Sequence, residues 1–228
     1  MHKQNPKVAA RVTQAMRTLP RDHFIEMSNP SLVLGRSIPP TNAVSEILNH
    51  ANIQPDHKML LVGTGAGYVA ALASKLAAKV VALEISDAMA WQAQTRFNGL
   101  ELANLIQRTA DGSAGAPELG PYDRIFVATP KSNRQSPVDR PTRGWGQLLA
   151  IEQGENETLI LTRYEVNEPG AALRKELAMV DFSRDTGLTL LDMGMVDQVM
   201  LAEARRVARA KRLPVINVLR EKLNLEDS

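Results

Sequence analysis

Between Leu60 and Leu76 the chain reads LLVGTGAGYVAALASKL. A short apolar run breaks into Gly63, Gly65 and Gly67, then continues as small apolar residues at helical spacing. No other stretch restricts the fold as much. An apolar run of this length that ends in glycine reads as a strand buried on both faces. Three glycines between such a strand and a helix describe a turn of unusual φ/ψ, where a ligand can come close to the main chain. The unpaired N–H groups at the head of the helix suit a nucleoside-containing ligand that carries a phosphate or carboxylate. The plain alternative is a tight strand–helix turn in an α/β core with no ligand.

The surrounding sequence extends the same rhythm. KMLLVG, KVVALEI, NLIQRTA and YDRIFVA read as strands, with helices at YVAALASKLA and DAMAWQAQTRFNGL, the latter opened by Asp87. Alternation of this kind predicts an α/β fold with a mostly parallel sheet and helices on both faces. Upstream, PKVAARVTQAMRTL places Val8, Val12, Ala15, Met16 and Leu19 on one helical face, and AVSEILNHAN forms a further helix capped by Thr41 or Asn42. After residue 130 a polar, proline-rich loop leads into QLLAIEQ, ETLILTRYEV and LRKELAMVDF, strands with no helices between them, so the sheet is expected to end antiparallel. Beyond Gly187 two helical patterns, DQVMLAEARRVARAKR and PVINVLREKLNL, form a unit too small for much of a core of its own. The expected division is a domain over 1–183 and a small helical C-terminal domain over 187–228.

Composition excludes several classes of function. The 228 residues contain no cysteine, which removes disulfides, thiolate metal sites and a cysteine nucleophile. Lys and Arg number 27 against 25 acids, and aromatics make up 4%, so neither a polyanion-attracting field nor a stacking platform for nucleic acid is expected. His2, His23, His50 and His57 are scattered without ligand spacing, so no metal is inferred and surface or cap positions are expected. No apolar run reaches the roughly 20 residues of a membrane span, and the opening segment lacks an apolar secretory core; a cytoplasmic protein is expected.

Two carboxylates complete the pocket that the glycines begin. Glu84 ends the second strand, 21 positions after Gly63, where a carboxylate can accept hydrogen bonds from both ribose hydroxyls. Asp111, in ADGSAG after the third strand, falls at the same carboxyl edge of the sheet. Together these outline a pocket for an adenosine-type cofactor. A dinucleotide fingerprint is G-x-G-x-x-G, and Ala70 stands where its third glycine would fall. The G-x-G-x-G order present here is the pattern of S-adenosylmethionine sites.

The ordered succession of motifs resembles the protein-L-isoaspartate O-methyltransferase family over residues 18 to 183. LLVGTGAGYVAALASKL resembles its V-L-E-I-G-T-G-S-G-Y segment, TLPRDHFI its V-P-R-x-x-F-V, and LGRSIPPTNAV its I-G-x-G-Q-T-I-S-Q-P-x-x-V. ADGSAG and PYDRIFVATP are similar to G-D-G-x-x-G and P-Y-D-x-I-x-V-T-A-A. The resemblance implies a Rossmann-like methyltransferase fold, S-adenosylmethionine as cofactor and an isoaspartyl-containing protein or peptide as methyl acceptor. It implies that Gly63, Gly65 and Gly67 line the methionine and ribose part, that Glu84 holds the ribose, and that Asp111 and Gly112 contact the adenine. Thr64, Tyr68 and Ile85 join that cofactor-binding set. The acceptor is a carboxylate already ionised at pH 7, so alignment rather than a general base carries the chemistry.

Departures from the family pattern fall on the acceptor side. Pro39 stands at the family's serine and Thr41 at its proline, leaving Ser37 as the candidate hydroxyl near the reacting centre. The family's A-Y-x-D has no counterpart in IEMSNPSLVLG. The alternative is therefore a catalytically impaired binding or assembly protein that keeps the cofactor pocket; a nicotinamide dehydrogenase ranks third. The tail LLDMGMVDQVMLAEARRVARAKRLPVINVLREKLNLED resembles the N-terminal domain of type II secretion and type IV pilus ATPases, which implies a docking module for a protein partner or a cyclic dinucleotide. Arg205, Arg206, Arg209, Lys211 and Arg212 read as a solvated helix face. Trp91 and Phe97 read as core or cofactor-edge packing, and Trp145 as a cover for the loop near the pocket.

Overall fold

A computed structural model describes residues 5–19, 21–24, 39, 41–128, 146–153, 159–168, 171–180, 197–211 and 215–223. The first helix, α1 (Pro6–Thr18), begins where proline is tolerated, and the Asn5 side chain caps it by accepting the Lys7 N–H at 3.1 Å. Val8, Val12, Ala15 and Leu19 are buried, with Met16 packed beside them, which is the predicted face. Helix α2 (Thr41–Ala51) buries Ala43, Val44, Ile47, Leu48 and Ala51 at helical spacing. The Arg11 guanidinium reaches from α1 to the carbonyls of Ile53, at 3.0 Å, and Leu76.

The alternating segments follow as expected: β1 (Lys58–Val62), α3 (Tyr68–Ser74), β2 (Lys79–Glu84), α4 (Asp87–Gly99), β3 (Leu105–Thr109) and β4 (Arg124–Val127). They continue into β5 (Gln147–Gln153), β6 (Leu159–Glu168) and β7 (Ala171–Val180). The seven-stranded sheet has the order β3-β2-β1-β4-β5-β6-β7. Pairings from β3 across to β5 are parallel, and β5–β6 and β6–β7 are antiparallel. The mostly parallel sheet with an antiparallel end is therefore present.

Two details differ from the sequence reading. Helix α3 ends at Ser74, and a tighter turn follows, with Lys75 N–H bonded to the Leu72 carbonyl at 3.1 Å and Leu76 N–H to that of Ala73 at 3.0 Å. The described helices α1 to α4 bury residues in one apolar cluster, with Met59, Leu61, Val80 and Ala82 of the sheet. The opposite cluster contains Leu60, Val62, Val81, Leu83, Val127 and Leu148, and is covered among the described residues by Ala116, Leu119 and Tyr122 instead of a long helix. The physical reason lies between β3 and β4. Gly112, Gly115, Pro117, Gly120 and Pro121 permit only the one-turn 3-10 segments Gly112–Ala114 and Pro117–Leu119.

At the far end of the sheet, Glu152 accepts hydrogen bonds from the Tyr164 hydroxyl and from Arg174 Nε and Nη2, at 3.2 and 3.0 Å, tying β5, β6 and β7 together. Helices α5 (Gln198–Lys211) and α6 (Val215–Leu223) pack on each other. Leu201, Ala204 and Ala208 of α5 and Val218 and Leu219 of α6 are buried. Arg205, Arg206, Arg209 and Lys211 are exposed on α5, and Arg206 pairs with Glu203 at 2.7 Å. Among the described residues no helix is long and apolar enough to cross a membrane.

Candidate cofactor site

The turn after β1 is built by its glycines. Gly63, Gly65 and Gly67 have φ of 85°, 55° and 95°, a region that side chains other than glycine rarely adopt. The turn is anchored to the end of β2. Gly63 and Thr64 N–H donate to the Leu83 carbonyl at 2.9 and 3.1 Å, and Thr64 Oγ1 donates to the same oxygen at 3.1 Å. Gly67 N–H closes the turn on the Thr64 carbonyl at 3.0 Å.

Glu84 faces this turn. Its side chain is buried, with residue exposure of 8%. Oε2 accepts the Gly65 N–H at 2.9 Å and Oε1 accepts the Ser86 N–H at 3.1 Å. A carboxylate offers about four lone-pair sites, so each oxygen retains capacity to accept a hydroxyl from a ligand. The carboxylate is thus held in place by main-chain donors on both sides, rather than directed into solvent. The Glu84 carbonyl accepts the Ala110 N–H at 2.9 Å, which brings the start of the Asp111 loop to the same edge.

Asp111 is exposed, and its Oδ1 accepts the Ser113 N–H at 2.9 Å. Gly112 lies against β1: a Cβ there would meet Val62 Cγ1 at 2.1 Å. Ile85, next to Glu84, is 68% exposed, an apolar side chain at the carboxyl edge of the sheet. Thr64 is buried and spends its hydroxyl on the turn. The Tyr68 ring is in the core, with its centroid 5.2 Å from that of Phe24, so the contribution open to Tyr68 at the turn is that of its main chain.

Of the sequence-predicted set, the fold brings Gly63, Thr64, Gly65, Gly67, Glu84, Ile85, Asp111 and Gly112 to one edge of the sheet, at the ends of β1, β2 and β3. Ser37 and Trp145 lie outside the described residues; Pro39 is half-buried, two positions before α2. Phe97 is a core residue, whereas Trp91 is 71% exposed and packs in no core. Helix α4 is capped by Ser86, whose side chain accepts the Met89 N–H at 3.4 Å, with Asp87 as its first residue. Serine one position before that acidic residue is an N-cap signal legible in the sequence. Val62 behind Gly112, and Arg96 Nη1 donating to the Ala66 carbonyl at 3.3 Å, carry no signal in the sequence. His50 bonds Glu46 at 3.2 Å, and His57 Nδ1 accepts the Gln54 N–H at 3.1 Å.

Comparison with known proteins places this geometry in context. Protein-L-isoaspartate O-methyltransferase 2 of Polaromonas sp. (strain JS666) is 30% identical over 191 residues, covering 80% of this chain and 90% of that protein. The protein-L-isoaspartate O-methyltransferase of Rhodopseudomonas palustris (strain BisB18) is 33% identical over 181 residues, covering 75% and 83%. Among solved structures, a protein-L-isoaspartate O-methyltransferase aligns with a TM-score of 0.64 at 20% identity, over 78% of this chain and 61% of that one. Another, from Plasmodium falciparum in complex with S-adenosyl-L-homocysteine, aligns at 0.60 and 17% identity, over 75% and 88%. At these identities the structural likeness establishes the fold, a Rossmann-like methyltransferase fold. The family described as protein-L-isoaspartate(D-aspartate) O-methyltransferase matches residues 1–182, and the chain belongs to it.

Proposed function

We propose that the glycine turn, Glu84, Ile85, Asp111 and Gly112 hold S-adenosylmethionine for methylation of an isoaspartyl carboxylate. The chain is an S-adenosylmethionine-dependent O-methyltransferase of the protein-L-isoaspartate type, and family membership favours this over the non-catalytic alternative. The observation that carries the residue assignment is the buried Glu84 carboxylate, fixed against Gly65 and Ser86 N–H at 2.9 and 3.1 Å. Glu84 accepts the ribose hydroxyls, while Gly63, Gly65 and Gly67, having no side chains, let the ligand come close to the main chain. Ile85 offers apolar surface to the base, and Asp111 a carboxylate to its edge. When bound, the cofactor supplies an electrophilic methyl group to the acceptor oxygen. The residues bind and orient; no side chain has to remove a proton, because the acceptor is ionised at neutral pH.

Ser37 is proposed as the hydroxyl beside the acceptor, with Pro39 in the family's serine position. Residues 187–228 are proposed as a separate helical domain that docks a protein partner. Support comes from the family match ending at residue 182 and from the packing of α5 on α6. Its likeness to the N-terminal domain of secretion and pilus ATPases belongs to the same proposal, as does a cytoplasmic location. Transfer of a radiolabelled methyl group from S-adenosylmethionine to an isoaspartyl peptide, with the aspartyl peptide as control, tests the activity. Labelling of the isoaspartyl peptide alone is expected; cofactor binding without labelling of either peptide would return the chain to the non-catalytic reading.

A further inference from the structure

We infer that the size match between Val62 and Gly112 sets the reach of the adenosine pocket, so that Gly112 serves as a positioning residue through β1. The inference rests on the cofactor reading given above and deepens it. Val62 is the last residue of β1 and is 8% exposed. It is fixed from both sides. Its carbonyl accepts the Ala128 N–H at 2.9 Å, and the next residue, Gly63, is bonded to the Leu83 carbonyl at 2.9 Å. Val62 cannot retreat without dismantling the glycine turn.

Gly112 comes to this strand end from the opposite side. A Cβ placed on it would stand 2.1 Å from Val62 Cγ1, 3.2 Å from Val62 Cβ and 3.4 Å from Cγ2. Rotation of Val62 about χ1 would have to swing aside Cγ1, at 2.1 Å, with Cγ2 already at 3.4 Å, and valine is stiff about that bond. The other side of the contact is softer. Gly112 belongs to a one-turn segment whose bonds are local, Ser113 N–H to Asp111 Oδ1 at 2.9 Å and Gly115 N–H to the Gly112 carbonyl at 3.0 Å. Its outer anchors are Ala110 N–H on the Glu84 carbonyl at 2.9 Å and the Tyr122 hydroxyl on the Ala116 carbonyl at 2.7 Å. An added methyl group would therefore lift residues 111–115 away from β1. Asp111 would move with them, lengthening the gap between its carboxylate and the Glu84 carboxylate at the end of β2. Two groups that grip opposite ends of one adenosine cannot tolerate such a change without loss of affinity.

Calorimetric titration with S-adenosylhomocysteine tests this on the full-length chain, with thermal unfolding of each unliganded protein in parallel. Gly112→Ala is expected to weaken binding by about tenfold or more. Adding Val62→Ala removes both Val62 methyl groups from the clash and is expected to restore affinity to within about threefold of wild type, although the double variant has lost buried methyl groups and melts lower. Recovered affinity in a less stable protein is a result that a merely structural role for Gly112 does not give. If Gly112→Ala binds as wild type does, or the double variant stays as weak as the single, the positioning role is overturned. Failure of the wild-type protein to bind would instead overturn the cofactor reading on which it rests.

Discussion

His57 shows how one side chain ties stability to pH. Burial, and then the nearby Arg124 guanidinium, lower its pKa below the ordinary 6.5. Its Nδ1 accepts the Gln54 N–H at 3.1 Å, a bond that a protonated imidazole cannot make. The unfolded chain takes up a proton near pH 6.5, while the folded protein does so only at lower pH. The stabilising contribution is complete above pH 6.5 and is lost as pH falls through the folded value. Urea denaturation between pH 7.5 and 5 is expected to show this slope in wild type and a shallower one in His57→Gln; equal slopes would remove His57 as a cause. The sequence offered no sign of the effect, because His57 meets Arg124 only through the pairing of β1 with β4. Glu84 is the opposite case. Its place at the end of an apolar run and its spacing from the glycines announced a role, and the fold supplies the two N–H groups that fix it.

Helix α4 illustrates why elements were more legible than the contacts between them. Its period and its position after β2 were plain, but its job against the glycine turn was not. Phe97 Cε1 and Cζ occupy the space where a Gly67 Cβ would stand, both at 2.7 Å, and Gly67 has φ of 95°. Gly67→Ala is thus expected to destabilise by about 2 kcal/mol or more, through left-handed strain together with overpacking. A shift in the urea midpoint with unchanged slope would register it; an unshifted midpoint would show that α4 yields freely. The missing long helix between β3 and β4 has the same origin in local chemistry. The β-α-β rhythm suggested helices on both faces, yet the glycines and prolines of residues 112–121 were the stronger signal.

Among the described residues, seven strands form one sheet, and α5 and α6 pack on each other in the segment proposed as a domain of its own. A chain ending at residue 183 is accordingly expected to fold with the wild-type cooperative transition and bind S-adenosylhomocysteine within about threefold of the full chain. Loss of cooperative unfolding in the shortened chain would show that the tail completes the domain. The mostly parallel sheet and its antiparallel end were legible because parallel strands carry continuous apolar runs, whereas later strands followed one another with no helix between. The acceptor side was less legible, because Ser37 and Pro39 sit in a proline-rich stretch with no hydrophobic period to fix it. Everything about the cofactor depends on Glu84 facing the glycine turn, and calorimetry with S-adenosylhomocysteine on wild type and Glu84→Ala tests it most directly. The account predicts binding by wild type and a loss of about a hundredfold in the variant, since two charge-assisted hydrogen bonds to the ribose disappear. Equal affinity in the two proteins would contradict it.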